Sequence, residues 1–261
     1  MAITFTNLGA STTTATNPDI RSNVDATSYS NSAWTPSTGL LIAFISTRTA
    51  NTDATSPPVL PTITGNGLTW VNIKDVTYNL ASSVNRGRLS LWAANNESGT
   101  ATNGVTTFDY GSQTQTMCYV SFILANGVDL TGGVAAAFVQ SPTNTGASVL
   151  SLDVTLAAES HADNRPIAGF AHSANELTTH RTNWTEADDM TAGSPVSALQ
   201  TQWRSDAFET TASASWLTNS AAAGIAAELK ALVAGGGGSI VHPVFANDDL
   251  HGVLFGGKVI R

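Results

Sequence analysis

The run "SVLSLDVTL", residues 148–156, changes character at almost every step. In an extended chain successive side chains point to opposite faces. Val149, Ser151, Asp153 and Thr155 therefore share one face, and Leu150, Leu152, Val154 and Leu156 share the other. That alternation predicts a strand with a core on one side and water on the other.

The pattern spreads in both directions. "LLIAFI" (40–45) and "YVSFIL" (119–124) are nearly continuous apolar runs, as expected of central strands covered on both faces. These sit within predicted strands at 38–47 and 114–125, and others are predicted at 2–8, 68–78, 87–94, 105–110, 133–141, 166–172, 197–205 and 212–218. Clusters of Gly, Asn, Pro and Ser punctuate them. "AAAGIAAELKALV" (221–233) has a helix-forming composition. Yet Ile225, Ala227, Leu229, Ala231 and Val233 alternate with Ala226, Glu228 and Lys230, so 224–233 is read as the closing strand. Asn66-Gly67 in "TGNGLTW" predicts a hairpin turn that puts Trp70 just inside a strand. Many short strands joined by turns predict an all-β fold, a jelly-roll-like antiparallel β-sandwich.

Composition narrows what such a sandwich does. Of 261 residues only 11% are charged, against roughly 25% in an ordinary soluble protein. Ser, Thr and Asn solvate the surface instead, as in "STTTATN" (11–17), which suits shells, fibres and exported modules. The net charge of −8 offers no basic face for the phosphates of a nucleic acid. No apolar run approaches the ~20 residues of a membrane-spanning helix, and "MAITFTNLGAS" has neither the basic nor the apolar region of a signal peptide. The expected setting is synthesis in a cytoplasm followed by assembly elsewhere. The single Cys118, in "QTMCYVSFIL", permits no internal disulfide and reads as a small core residue.

The organisation read from this pattern is a β-sandwich domain over 1–234, a glycine linker over 235–238 and a C-terminal β-rich docking arm over 239–261. Gly and Ser make the linker flexible. The arm, "SIVHPVFANDDLHGVLFGGKVIR", reads as two short strands around an "NDD" turn, and such a piece is marginal alone in water. Ile240, Val244, Phe245, Leu254 and Phe255 are its candidate partner-binding residues. They are expected to pack on the arm's own domain or to add a strand to a neighbouring subunit.

Several phrases occur together: "GNGLTW" (65–70), "GRLSLW" (87–92), "GSQTQT" (111–116), "NGVD" (126–129), "NWTE" (183–186), "LQTQW" (199–203), "ASW" (214–216) and "GIAAELKA" (224–231). In this order the chain resembles, over about residues 20–233, a loosely defined family of β-sandwich proteins encoded by tailed phages and prophages. The resemblance implies a virion setting: a capsid decoration or cement protein, with a tail or fibre component as the competitor. Its implied partners are the major capsid protein or neighbouring virion subunits, and a homo-oligomer is expected. It supplies no catalytic motif, because the phrases are turns and core strands.

Chemistry-bearing residues were weighed separately. His161, His172 and His180 lie near Asp163, Glu176, Glu186, Asp188 and Asp189, but at no spacing of a coordination motif, so turn, capping and surface roles are expected. Neither a G-x-S-x-G elbow nor a P-loop occurs. The acidic turns "NPDIRSNVD" (17–25) and "FANDDLHG" (245–252) match no EF-hand loop and read as Asx turns. No enzyme, metal or cofactor is therefore expected. Six tryptophans allow a carbohydrate-binding module of a tail, fibre or capsid surface as the alternative. Trp92 and Trp184 are then the candidate glycan-binding residues, for a host surface glycan, while Trp203 shares the parity of Leu199 and reads as core.

Overall fold

The structure, a computed structural model, describes residues 2–9, 17–49, 57–79 and 86–233. The chain is all-β, a sandwich of antiparallel sheets, and each half of it builds one main sheet. The first sheet runs β1 (Thr4–Asn7), β9 (Gln115–Asn126), β4 (Leu40–Thr49), β7 (Arg86–Asn95), β6 (Trp70–Asn79), with β2 (Ile20–Ser22) also on β9. The second runs β10 (Phe138–Gln140), β16 (Thr211–Leu229), β12 (Arg165–His172), β15 (Val196–Trp203), β14 (Thr185–Gly193). Both β11 (Thr143–Thr155) and β13 (Thr179–His180) pair with β16.

Alternation assigns the cores. On β4, Leu40, Ile42 and Phe44 face the second sheet, while Leu41, Ala43 and Ile45 face away into a separate core. The nearly continuous apolar runs are therefore covered on both faces, as expected. The central core joins Tyr119, Ile123, Leu89 and Leu91 of the first sheet to Ile167, Leu199, Ile225 and Leu229 of the second. The sheets approach closely at Gly169, where an added Cβ would lie 2.4 Å from the Phe44 ring.

Outside the first sheet lies a small cap sheet, ordered β3 (Ser28–Ser30), β8 (Thr107–Asp109), β5 (Thr62–Thr64). Beneath it Trp34, Trp70, Trp92, Phe108 and Phe122 form an aromatic core. The Asn66-Gly67 turn has positive φ at both residues and closes with Leu68 N on Gly65 O. It does not close a hairpin, because β5 pairs with β8 in the cap and β6 pairs with β7 in the main sheet. The turn carries the chain between layers, and Trp70 opens β6 as expected.

The second sheet is covered by one of its own strand pairs, whose members lie far apart in the chain. β11 and β16 pair from Thr143↔Ile225 to Thr155↔Thr211, with register shifts between Gly146 and Val149 and between Val149 and Ser151. There the pair doubles back across the outer face of the sheet. Asn144 Nδ2 donates to Asp153 O at 2.7 Å, although nine extended residues would separate them by about 30 Å. Val154 meanwhile lies over Gly224, where a Cβ would come within 2.7 Å of it. This flap buries Leu152, Val154, Leu156, Ala212, Ala214 and Trp216 against Ala168, Phe170 and Ala222.

Several expectations change in detail. The strands expected at 212–218 and 224–233 are one 19-residue strand, β16, bent at the flap. Only Phe138–Gln140 of 133–141 is a strand, preceded by a 3-10 turn at Ala135–Ala137 whose Ala136 and Ala137 amides bond Gly133 O and Val134 O. Leu150 shares the parity of Leu152 yet is 47% exposed, because the register shifts beside it turn it out of the core. The domain's last described ties are the Val128↔Ala231 bridge and Leu232 N on Gly127 O. Ile240, Val244, Phe245, Leu254 and Phe255, the rest of the arm and "FANDDLHG" lie outside the described residues.

Candidate functional site

The residues singled out in the sequence scatter. Trp92 and Trp184 are 9% and 4% exposed, Trp92 under the cap and Trp184 under the flap, and their indole N–H groups donate to Ser90 Oγ and Glu209 Oε2. A stacking platform needs an open ring face, and neither offers one. Trp92 does point away from Leu89 and Leu91, but the cap sheet covers that side. The other four tryptophans are buried too, Trp203 in the central core.

The histidine and carboxylate group is likewise divided. His172, on β12, stacks on Trp216 at 4.5 Å, bonds Thr178 Oγ1 through Nε2 and accepts Ala174 N at Nδ1. Burial lowers its pKa to about 4, so the ring is neutral. His161 accepts the Asp163 amide in a turn, Glu176 accepts Thr218 N, and Asp189 accepts Thr178 N. Among the described residues no group of three or more His, Cys, Asp or Glu could hold a metal ion, and no helix is long and apolar enough to cross a membrane. Cys118 is buried beside Tyr110, and burial pushes its thiol up to about 12.

Two places do gather polar chemistry. The first is a seam between the main sheets, where strand alternation aims Ser121 of β9 and Asp188 and Thr201 of β14 and β15 inward. Ser121 Oγ lies 2.7 Å from Asp188 Oδ2 and 2.9 Å from Thr201 Oγ1. Asp19 accepts Phe122 N at 2.9 Å through Oδ1, while its Oδ2 is buried without a donor. Burial first, then the Asp188 charge, raise the Asp19 pKa to about 8. Asp19 thus keeps its proton near neutral pH, on a carboxyl buried at the junction of the two halves of the chain. Arg21, 3.6 Å from Asp188 Oδ1, and the Asn7 side chain on Ala187 O complete this clasp. Asp188 is 7% exposed, so the clasp joins elements rather than meeting a substrate.

The second place is the outer surface of the flap. Inward Leu152, Val154, Ala212 and Ala214 leave Ser151, Asp153, Ser213 and Ser215 outward, paired Ser151↔Ser215 and Asp153↔Ser213. With Thr179, His180, Arg181 and Thr182 they line a shallow depression of about 320 Å³. His180 Nδ1 sits 3.3 Å from Glu186 Oε2. Arg181 Nε donates to Glu209, which also takes Arg204 Nη1 at 2.6 Å and the Trp184 indole. Burial pulls the Glu209 pKa up, but the hydrogen bonds from Arg204 and Arg181 outweigh it and hold the carboxylate ionised. At the bend beside this surface, Leu217, Leu177 and Leu150 are 89%, 70% and 47% exposed. Thr218 N on Glu176 Oε1 at 2.6 Å brings the Leu177 and Leu217 segments together.

Sequence reasoning had placed Ser151 and Asp153 on a water face. It missed Asp19 with Asp188 and the leucine tip, whose members come from distant segments. Comparison with known proteins found no matching protein-family model, no matching curated protein and no matching solved structure.

Proposed function

We propose that this chain is a non-enzymatic virion structural protein that decorates or cements a phage capsid through subunit contacts. The observation that carries the reading is the leucine tip. Leu217 of β16 and Leu177 of the segment after β12 are the two most exposed large apolar side chains among the described residues, and the bond from Thr218 N to Glu176 ties their segments together. Large exposed apolar side chains grouped on a rigid element mark association surfaces. A contact there stabilises a shell by burying area that disassembly would expose. The arm residues Ile240, Val244, Phe245, Leu254 and Phe255 enter this reading as a second attachment on sequence grounds alone. The phrases shared with phage β-sandwich proteins point to the same setting.

The test is occupancy on particles that lack the protein, scored by cryo-electron microscopy after adding wild type, Leu177→Ser/Leu217→Ser, or a chain ending at Gly235. Wild type is expected to decorate the shell, and each variant to lose most of its occupancy while keeping its melting temperature. Undiminished occupancy of both variants, or density confined to the tail tip, overturns the reading.

A further inference from the structure

We propose that the groove between β11, β13 and the first half of β16 is a saccharide-binding site, recognising vicinal hydroxyls through Asp153, Ser213, Ser215, Thr179, His180 and Arg181. This goes beyond the contact role and does not depend on it. Its volume, about 320 Å³, is at the small end of ligand pockets and matches one or two sugar rings.

The groove contains two kinds of polar group. Arg181 and His180 are held in place by carboxylates outside it. Glu209 fixes Arg181 through Nε and leaves the terminal N–H groups available, while Glu186 engages Nδ1 of His180 and leaves Nε2. The Asp153 carboxylate and the hydroxyls of Ser151, Thr179, Thr182, Ser213 and Ser215 make no hydrogen bond to another described side chain or backbone group. The site thus combines acceptors in Asp153 and His180 Nε2, a fixed donor in Arg181 and several hydroxyls that do both.

That combination selects a ligand class. A sugar diol both donates and accepts, so Asp153 can take two hydroxyl protons and Nε2 of His180, whose Nδ1–H faces Glu186, a third, while Arg181 donates to a neighbouring oxygen. A phosphate or other anion meets the Asp153 carboxylate on the lining. An apolar ligand finds only the small Ala214 on the lining. With every tryptophan buried, recognition rests on hydrogen bonds rather than ring stacking, so affinity is expected on the order of millimolar per site. Display of many copies multiplies such weak binding by about 10² or more.

The probe is a printed array of mono- to tetrasaccharides, read with the full chain coupled to beads at high density. Wild type is expected to retain a defined subset. Asp153→Ala is expected to lower that signal about tenfold or more, the loss of a charge-assisted contact. Because the Asp153 side chain holds nothing inside the protein, an unchanged melting temperature separates this loss from unfolding. Arg181→Ala should do the same, and Leu177→Ser/Leu217→Ser should bind sugars as wild type does. A silent array, or binding that survives Asp153→Ala and Arg181→Ala alike, overturns the proposal.

Discussion

The two main sheets each have an outer face to hide, and they hide it differently. Over the first sheet, short strands from three places in the chain form a cap whose underside is aromatic. Its buried hub is Asn66, whose Nδ2 donates to Trp34 O, Thr102 O and Gly104 O while Oδ1 accepts Thr106 Oγ1. Over the second sheet a single strand pair, β11 with β16, bends back on itself, packing alanines, Leu152 and Trp216 inward. The cap is pinned by long-range polar bonds. The flap is pinned by close packing, and it keeps an outward face of serines, threonines and leucines. Both candidate contact surfaces lie on or beside the layer made by β11 and β16.

Breaking the cap should cost most. Asn66→Ala removes the donor shared by three carbonyls, the buried Trp34 O among them, and places a Cβ-bearing residue without a polar side chain at φ 56°. A loss of about 3 kcal/mol or more is expected, from unsatisfied buried groups together with the left-handed backbone. Chemical denaturation measures it. A cost below about 1 kcal/mol would mean that the hub is dispensable.

The flap should yield to a methyl group instead. Gly224→Ala puts a Cβ 2.7 Å from Val154 and 2.8 Å from the Phe170 ring. Overpacking of this kind costs about 1–3 kcal/mol. Its signature is expected in hydrogen exchange, with amides of 149–155 and 211–218 losing protection while those of 107–109 keep theirs. Equal loss in both layers would show that cap and flap are one cooperative unit.

How legible each layer was follows from where its partners sit in the chain. Leu152, Val154 and Ser151 announced their faces because alternation is local. Leu150 broke the pattern because a register shift, which no local period reveals, turned it outward. β14, "TEADDMTAG", went unseen because Asp and Glu are depleted in strands. Its Asp188 is tolerated inward only because Ser121, Asp19 and Arg21, far away in sequence, meet it there. The Asn66-Gly67 turn was read correctly as a turn but wrongly as a hairpin, since turn chemistry does not say which sheet takes the next strand. The outward tryptophans were misjudged for a related reason: parity places Trp92 opposite Leu91, and only the cap decides whether that side is wet.

Acid separates the layers next. Burial raises the pKa values of Tyr29, Tyr110 and Cys118 in the cap core, so they stay neutral through the acid range. His172 under the flap falls from 6.5 to about 4. Between those values the unfolded chain binds more protons, so His172 makes stability fall as pH drops through the window. Asp19 acts with the opposite sign, since its folded value rises from 3.8 to about 8, and stability falls as pH rises through that interval. Of these two groups only Asp19 titrates between about 6.5 and 8. Asp19→Asn is therefore expected to flatten the melting temperature across that range and to leave the acid-side loss in place. Hydrogen exchange at pH 4 should show the flap opening before the cap, and His172→Gln should remove that difference. A wild-type profile that is flat from pH 6.5 to 8 would count against the raised Asp19 pKa.

The smallest expected effect on stability is the one that would sharpen the comparison furthest. Leu217 is 89% exposed, so Leu217→Ser removes almost no buried area and should shift unfolding by no more than about 0.5 kcal/mol. In the capsid reading the same change weakens incorporation, because the side chain is desolvated only in the assembled particle. Val24, 69% exposed before the cap strands, is the matched control. Val24→Ser should be equally silent in denaturation and should leave occupancy unchanged. If both substitutions lower occupancy equally, contact is spread over both layers and the flap has no special standing. If only Leu217→Ser does, the exposed bend of β16 serves as the contact while the inner face of the flap hides a sheet.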